Sequence, residues 1–209
     1  MTSGERAISG EVEPAEPSRA DARRNRVRVV EVAMSLFASR GASVPIHEIA
    51  RRAGVGTGTV SRHFPTKESL FKAIVLSRAE ELVNQAATLE ATHDPGTAFF
   101  EFISQIVDKA VEHRGLAEAL AGAGFDVLGT ASSGDHDVLG TWGRLLNRAQ
   151  RAGIVRKDVE LADVQALVSG CLARERRGVD VAARARMIAL ARDALRAPGQ
   201  RTARRSRAT

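Results

Sequence analysis

The sequence predicts an all-α chain, with a small N-terminal three-helix unit followed by a larger helical body. Three observations predict it. Apolar residues recur at spacings of three and four almost throughout, as on one face of an α-helix, and no stretch alternates as a half-buried strand does. Aromatic residues make up only 4% of the chain, with no tyrosine and one tryptophan, Trp142. The core therefore falls to Ala, Leu, Val and Ile, which suits packed helices better than a sheet. Glycines and prolines also stand where helices of ordinary length would stop or start.

Residues 1–17, rich in Glu, Pro, Gly and Ser, read as a flexible tail. The first helix puts Val27, Val30, Met34 and Phe37 on one face and ends at Gly41, a residue suited to the left-handed cap position. Pro45 opens the second helix, where its missing N–H has no intrahelical partner to lose. Ile46, Ile49, Ala50 and Ala53 form the inward stripe of this helix, and Gly54 stops it. A third, short helix runs from about Thr57 to Phe64, with Thr57 as its N-cap and Val60 and Phe64 inward. Pro65 ends it, and Thr66 caps a fourth helix that carries Leu70, Phe71 and Ile74 onward.

From about residue 79 the helices lengthen. Residues 97–120 read as one amphipathic segment with a break near Gly115, and residues 121–138 as a glycine-rich loop or a short helix between turns. A helix closed by Gly153 follows, then two more over 161–177 and 180–196. The expected domains are a helix-turn-helix domain over 18–78 and a body over 79–197, with a second tail, basic, over 198–209.

The net charge of +6 is unevenly spread. Residues 18–78 hold twelve Lys/Arg against four Asp/Glu, whereas residues 79–195 hold thirteen against seventeen. A basic unit beside an acidic body suggests that one part meets a polyanion and the other does not, although a solvated arginine-rich surface has the same composition. Cys171 is the only cysteine, which excludes an intrachain disulfide and a cysteine-held metal cluster. The first twenty residues lack the apolar run of a signal peptide, and no stretch is long and apolar enough to span a bilayer. The expectation is a cytoplasmic protein that does not engage the membrane.

The segment AGVGTGTVSRHFPTKESL, residues 53–70, holds three alternating glycines. A phosphate-binding loop needs a buried strand before it and Gly-Lys-Ser/Thr at its end. Here an amphipathic helix precedes it, and Lys67 lies nine residues past Gly58 with a proline between. A helix-turn-helix accounts for each residue instead. Gly54 turns the chain, Val55 plugs the angle, and Gly58 removes a side chain where the third helix meets a partner or a DNA backbone. Thr57, Thr59, Ser61, Arg62 and His63 are left outward, as short hydrogen-bonding groups and a cation able to reach base edges and phosphates. An ordinary helical hairpin with a polar surface fits the same pattern.

Residues 23–74, through LFASRG, EIARRAGVG and GTVSRHFPTKESL, resemble the DNA-binding domain of the tetracycline-repressor (TetR) family of bacterial transcription regulators. The resemblance implies a homodimeric repressor that binds double-stranded operator DNA and is released by a small molecule held in its helical body. It implies that Lys67 contacts a phosphate, that Thr57, Thr59 and His63 face DNA, and that Arg23, Arg24 and Arg26 lie near the backbone or the adjacent groove. Pro45, Gly58, Ser61 and Arg62 complete the expected DNA-facing set. The family usually has tyrosine at the position of Ser61, packed along the DNA backbone, and serine is too short for that contact. An altered affinity or operator preference follows, and Ser61 also sustains an alternative: a helical protein-interaction module with weakened DNA binding.

Beyond residue 80 the resemblance weakens. Phe99, Phe102, Ile106, Leu120, Phe125 and Trp142 are the expected effector contacts, with core packing the competing role for each. Trp142 and Phe125 stand out because they flank the glycine-rich loop. Asp135, His136 and Asp137 are too close in sequence to converge easily on one ion, so a helix N-cap with a surface histidine is expected and no metal site. His93 and His113 are isolated and expected on the surface. By the resemblance, the helices at 161–177 and 180–196 form a four-helix bundle across a two-fold axis, through Leu161, Val164, Leu167, Val168 and Leu172 and through Ile188, Ala191 and Leu195. The same faces would serve a monomer's own core. No nucleophile–base pair or metal cluster is recognisable, so neither an enzyme nor a cofactor is expected.

Overall fold

The computed structural model describes residues 19–133, 136–175 and 180–198. The tails expected over 1–17 and beyond Pro198, the end of the 161–177 helix and Asp135 lie outside the described residues. Ten helices follow in order: α1 (Arg19–Arg40), α2 (Ile46–Ala53), α3 (Thr57–His63), α4 (Lys67–Thr92), α5 (Pro95–Glu112), α6 (Arg114–Gly122), α7 (Val127–Ala131), α8 (Val138–Arg151), α9 (Leu161–Glu175) and α10 (Val181–Leu195). Among the described residues no strand forms, and one isolated β-bridge, Val155 with Arg196, ties the chain after α8 to the end of α10.

The core has two parts. In the first, Val29, Ala33, Leu36 and Phe37 of α1 pack with Ile49 and Ala50 of α2, Val60 of α3, and Leu70, Phe71 and Ile74 of α4. Leu116 and Leu120 of α6 belong to this cluster too, so the body reaches into the N-terminal unit. The second gathers Phe99, Phe102 and Ile103 of α5, Trp142, Leu145 and Leu146 of α8, Val164, Val168 and Cys171 of α9, and Leu195 of α10. Helix α4 contributes to both and runs unbroken across residue 78, where the domain boundary was expected.

Local chemistry sets the helix ends. Gly54 takes φ +64°, and its N–H and that of Val55 reach back to carbonyls of Arg51 and Ala50, closing α2 with a left-handed cap. The Thr66 hydroxyl accepts from the Ser69 N–H at 3.0 Å and the Ser69 hydroxyl from the Thr66 N–H at 3.3 Å, a reciprocal cap at the start of α4. Asp94 caps α5 by accepting from the N–H groups of Gly96 and Thr97, and Asp137 caps α8 by accepting from that of Gly140.

Two expectations are corrected. Thr57 is not the N-cap of α3; Gly56 is, with no side-chain bond, so Thr57 is left free as the first helical residue. Pro45 is the extended N-cap of α2, not its first helical residue. The break expected near Gly115 is present, since α5 and α6 part at His113, two residues before it, and the lack of a side chain on Gly115 serves packing.

Candidate nucleic-acid interface and interior cavity

The outward face of α3 is built by burying its other side. Val60 is fully buried and Phe64 nearly so, which fixes the helix against α1, α2 and α4. Thr57, Gly58, Ser61 and Arg62 are thereby exposed, and Thr59 and His63 are half-buried. A Cβ on Gly58 would meet nothing within 4 Å, so of the two neighbours expected there, a partner helix is absent and the space faces outward, where a DNA backbone was the other.

Cations surround this face. Lys67, first residue of α4, holds its ammonium 5.9 Å from the centroid of the Phe37 ring, and the Arg26 guanidinium lies 5.4 Å from that of Phe64. Both contacts join a cation to the aromatic core of the unit, which limits the freedom of a long side chain. Arg23 and Arg24 are exposed on α1, Arg24 paired with Asp21, and Pro45 is exposed at the start of α2. Arg51 and Arg52, not among the expected contacts, are exposed on α2. Arg40 pairs with Glu48, linking α1 to α2, and holds the Glu48 carboxyl below its ordinary pKa.

The expected effector contacts divide. Ile106 and Leu120 line a cavity of about 210 Å³ between α4, α5, α6 and α7, whose walls are otherwise largely Ile74, Val75, Leu82, Leu116 and Val127. Phe99, Phe102 and Trp142 do not line it. Phe99 and Phe102 are buried in the body core, and Phe102 meets the Trp142 ring edge-on at 6.2 Å. Phe125 turns toward the N-terminal unit and packs edge-on against Phe71 at 5.8 Å, continuing the Phe37–Phe71 contact. Their apolar periodicity reflects core packing, the competing role named for each. Three larger clefts, of about 940, 520 and 480 Å³, are lined mainly by charged and polar side chains, and Phe125 lines the third.

Five polar side chains break the apolar wall: Arg78, Glu81, Gln85, Lys109 and His113. Arg78 Nε, Gln85 Oε1 and His113 Nε2 are buried without a hydrogen-bond partner. His113, expected on the surface, is half-buried, with 28% of its side chain exposed and its Nε2 covered. Burial, reinforced by the Arg78 guanidinium, pushes its imidazole below the ordinary value, so the ring is neutral at pH 7. Arg78 and Gln85 had a signal in the sequence: they are polar residues on the inward stripe of α4, between Ile74 and Leu89.

A compact unit offering a short polar helix among cations, joined to a helical body with its own cavity, defines a helix-turn-helix DNA-binding transcription regulator. Residues 29–74 match the family model for bacterial regulatory proteins of the tetR family, and residues 94–197 match that for the C-terminal domain of SbtR-like transcriptional regulators. The chain belongs to the TetR family. It is 44% identical to a TetR regulatory protein of Mycobacterium vanbaalenii, whose crystal structure it matches with a TM-score of 0.66 over 86% of this chain and 99% of that one. A TetR regulator of Streptomyces coelicolor matches at 28% identity and a TM-score of 0.66, over 83% of this chain and 99% of that one. A gamma-butyrolactone receptor matches at 26% identity and a TM-score of 0.56, over 81% of this chain and 96% of that one. Among curated proteins, helix-turn-helix regulators of Staphylococcus aureus are 42% identical over 53 residues, 25% of this chain, which spans only 29% of their length. Among the described residues no helix is long and apolar enough to cross a membrane.

Proposed function

We propose that the chain is a ligand-responsive repressor: a homodimer that holds operator DNA through two α3 helices and releases it when a small molecule enters the cavity between α4 and α7. The observation that carries this reading is that Leu116 and Leu120 line the cavity and also belong to the core of the DNA-binding unit. A molecule that moves them moves the seat of α1 and α4. Helix α4 adds a second route, since it carries Lys67 at one end and Arg78 and Gln85 in the cavity wall. The gamma-butyrolactone receptor among the similar structures supports a small-molecule effector.

Lys67, Arg26, Arg23 and Arg24 hold phosphates, and Thr57, Thr59, Ser61, Arg62 and His63 meet base edges or backbone, with Gly58 and Pro45 allowing close approach. Dimerisation uses the outer faces of α9 and α10. Val164, Val168, Ala191 and Leu195 are spent on the chain's own core, which leaves Ala162, Ala166 and Ala173 of α9 and Ala182, Ala185 and Leu190 of α10 exposed. Small residues there let paired helices approach closely, and Leu190, 64% exposed, supplies apolar area.

Binding of the full chain to the DNA upstream of its own gene, across a salt series, tests the reading. A specific complex whose affinity falls steeply with salt is expected. Equal affinity for scrambled DNA overturns it and returns the interaction-module alternative.

A further inference from the structure

The cavity between α4, α5, α6 and α7 is apolar along its length, with polar atoms at two places only where the described side chains leave them unsatisfied. Near one end Arg78 Nε and His113 Nε2 are buried without hydrogen-bond partners, the latter 3.9 Å from a Glu112 carboxylate oxygen, and Gln85 Oε1 likewise has none on the same wall. Buried polar groups in folded proteins are nearly always bonded, and three orphans around one cavity mark positions that a ligand completes. Arg78 and Gln85 are seven residues apart on one face of α4, which sets them about 10 Å apart at 1.5 Å per residue.

Charge selects the class. The Arg78 guanidinium is already paired through Nη1 with Glu81, and Lys109 lies 3.5 Å from Glu112. A carboxylate or an ammonium entering the cavity would give up its hydration to meet charges already paired with one another, Arg78 with Glu81 in the wall and Lys109 with Glu112. What is buried and without a hydrogen-bond partner is the Nε–H of Arg78, the Nε2 of His113 and the amide oxygen of Gln85. We propose that the effector is an uncharged molecule with a largely apolar skeleton, whose carbonyl oxygen accepts from Arg78 Nε–H and whose hydroxyl or N–H, about 10 Å away, donates to Gln85 Oε1. His113 stands beside the carbonyl end, close enough to Arg78 to feel its charge. The volume of about 210 Å³ lies below the usual range for drug-sized ligands, so the molecule is compact. This inference rests on the effector reading of the same cavity.

Isothermal titration of the full chain with four eight-carbon probes tests it: 8-hydroxyoctan-2-one, 2-octanone, octanoate and octylamine. The hydroxyketone is expected to bind tightest, 2-octanone several-fold weaker, and both ions at least about tenfold weaker than 2-octanone. Arg78→Met should weaken 2-octanone about tenfold, while Gln85→Leu should leave 2-octanone unchanged and abolish the advantage of the hydroxyketone. Octanoate or octylamine binding as tightly as 2-octanone, no binding by any probe, or a folded Gln85→Leu protein that keeps the hydroxyketone preference overturns the proposal. The ranking of the four probes on the unmodified protein decides the matter even where Arg78→Met does not fold. Operator binding measured with and without 8-hydroxyoctan-2-one separates the two readings. Release of DNA supports both, and tight binding that leaves DNA affinity unchanged upholds the ligand class and counts against the effector role alone.

Discussion

A Cβ atom placed on Gly115 would lie 2.6 Å from the carbonyl oxygen of Ala38, closer than side-chain carbons come to backbone oxygens. Gly115 stands in the first turn of α6, and Ala38 in the last turn of α1, so this contact joins body and DNA-binding unit backbone to backbone. It sits beside Leu116, which is buried in the core of that unit. Gly115→Ala therefore has to push α6 away from α1, and the expected loss is about 1–3 kcal/mol of stability. Gly122→Ala, on the same helix with nothing within 4 Å of its Cβ, serves as the control and should be neutral or slightly stabilising. Urea unfolding of the two variants checks the pair; equal effects would show that the α1–α6 approach is not tight in solution.

Lys67 and Thr59 should fail in different ways. Lys67 stands at the start of α4, next to the reciprocal Thr66–Ser69 cap, with its ammonium near Phe37. A cation in that position meets phosphate and carries no sequence information. Lys67→Ala is expected to weaken all DNA sequences alike and to lower the salt slope by about one. Thr59→Ala, on the outward side of α3, should change the preference between sites with little change in slope. Fluorescence anisotropy with matched and mismatched operators over a salt series reads both.

The legibility of this fold in its sequence followed the strength of local chemistry. Gly41 and Gly54 take positive φ, Thr66 and Asp137 cap helices, and the expected stripes of α1 to α4 are largely buried, with Met34 and Ile46 half-buried and Val27, 49% exposed, left outside the core. Each of those signals is settled within a few residues of itself. The cavity was not legible, because its wall is assembled from α4, α5, α6 and α7, and periodicity distinguishes inward from outward but not core from cavity. Phe99, Phe102 and Trp142 were read correctly as inward, and they pack in the body core without lining the cavity. The half-burial of His113 was not legible for a related reason: an isolated histidine in a sequence gives no sign that Arg78, on α4, will be beside it.

His113 gives the fold a pH dependence of definite sign. Its folded-state value is lowered by burial first and by the Arg78 charge second, with Glu112 acting in the opposite direction. The unfolded chain therefore takes up the proton near pH 6.5 while the folded chain resists it, and stability falls as the pH drops through that value until the folded form protonates too. His113→Gln removes this term. Urea unfolding of both proteins at about pH 7.5 and about pH 5.5 should show the stability difference moving in favour of the variant at the lower pH. A difference that does not change with pH would mean that the imidazole is as well solvated in the folded chain as outside it.

Ser61 is the one expected DNA contact whose residue type departs from the TetR pattern, and the structure leaves room to restore it. Its side chain is exposed on α3, one residue beyond the buried Val60. A tyrosine there would project outward without disturbing the packing that holds the helix. Ser61→Tyr should leave thermal stability unchanged and tighten operator binding by about fivefold, the worth of one additional backbone contact. Because such a contact reads phosphate and sugar, affinity for unrelated DNA should rise by a similar factor, so discrimination between sites should not improve. A gain confined to the operator would mean that position 61 reads a base edge, and that serine was reading it less well.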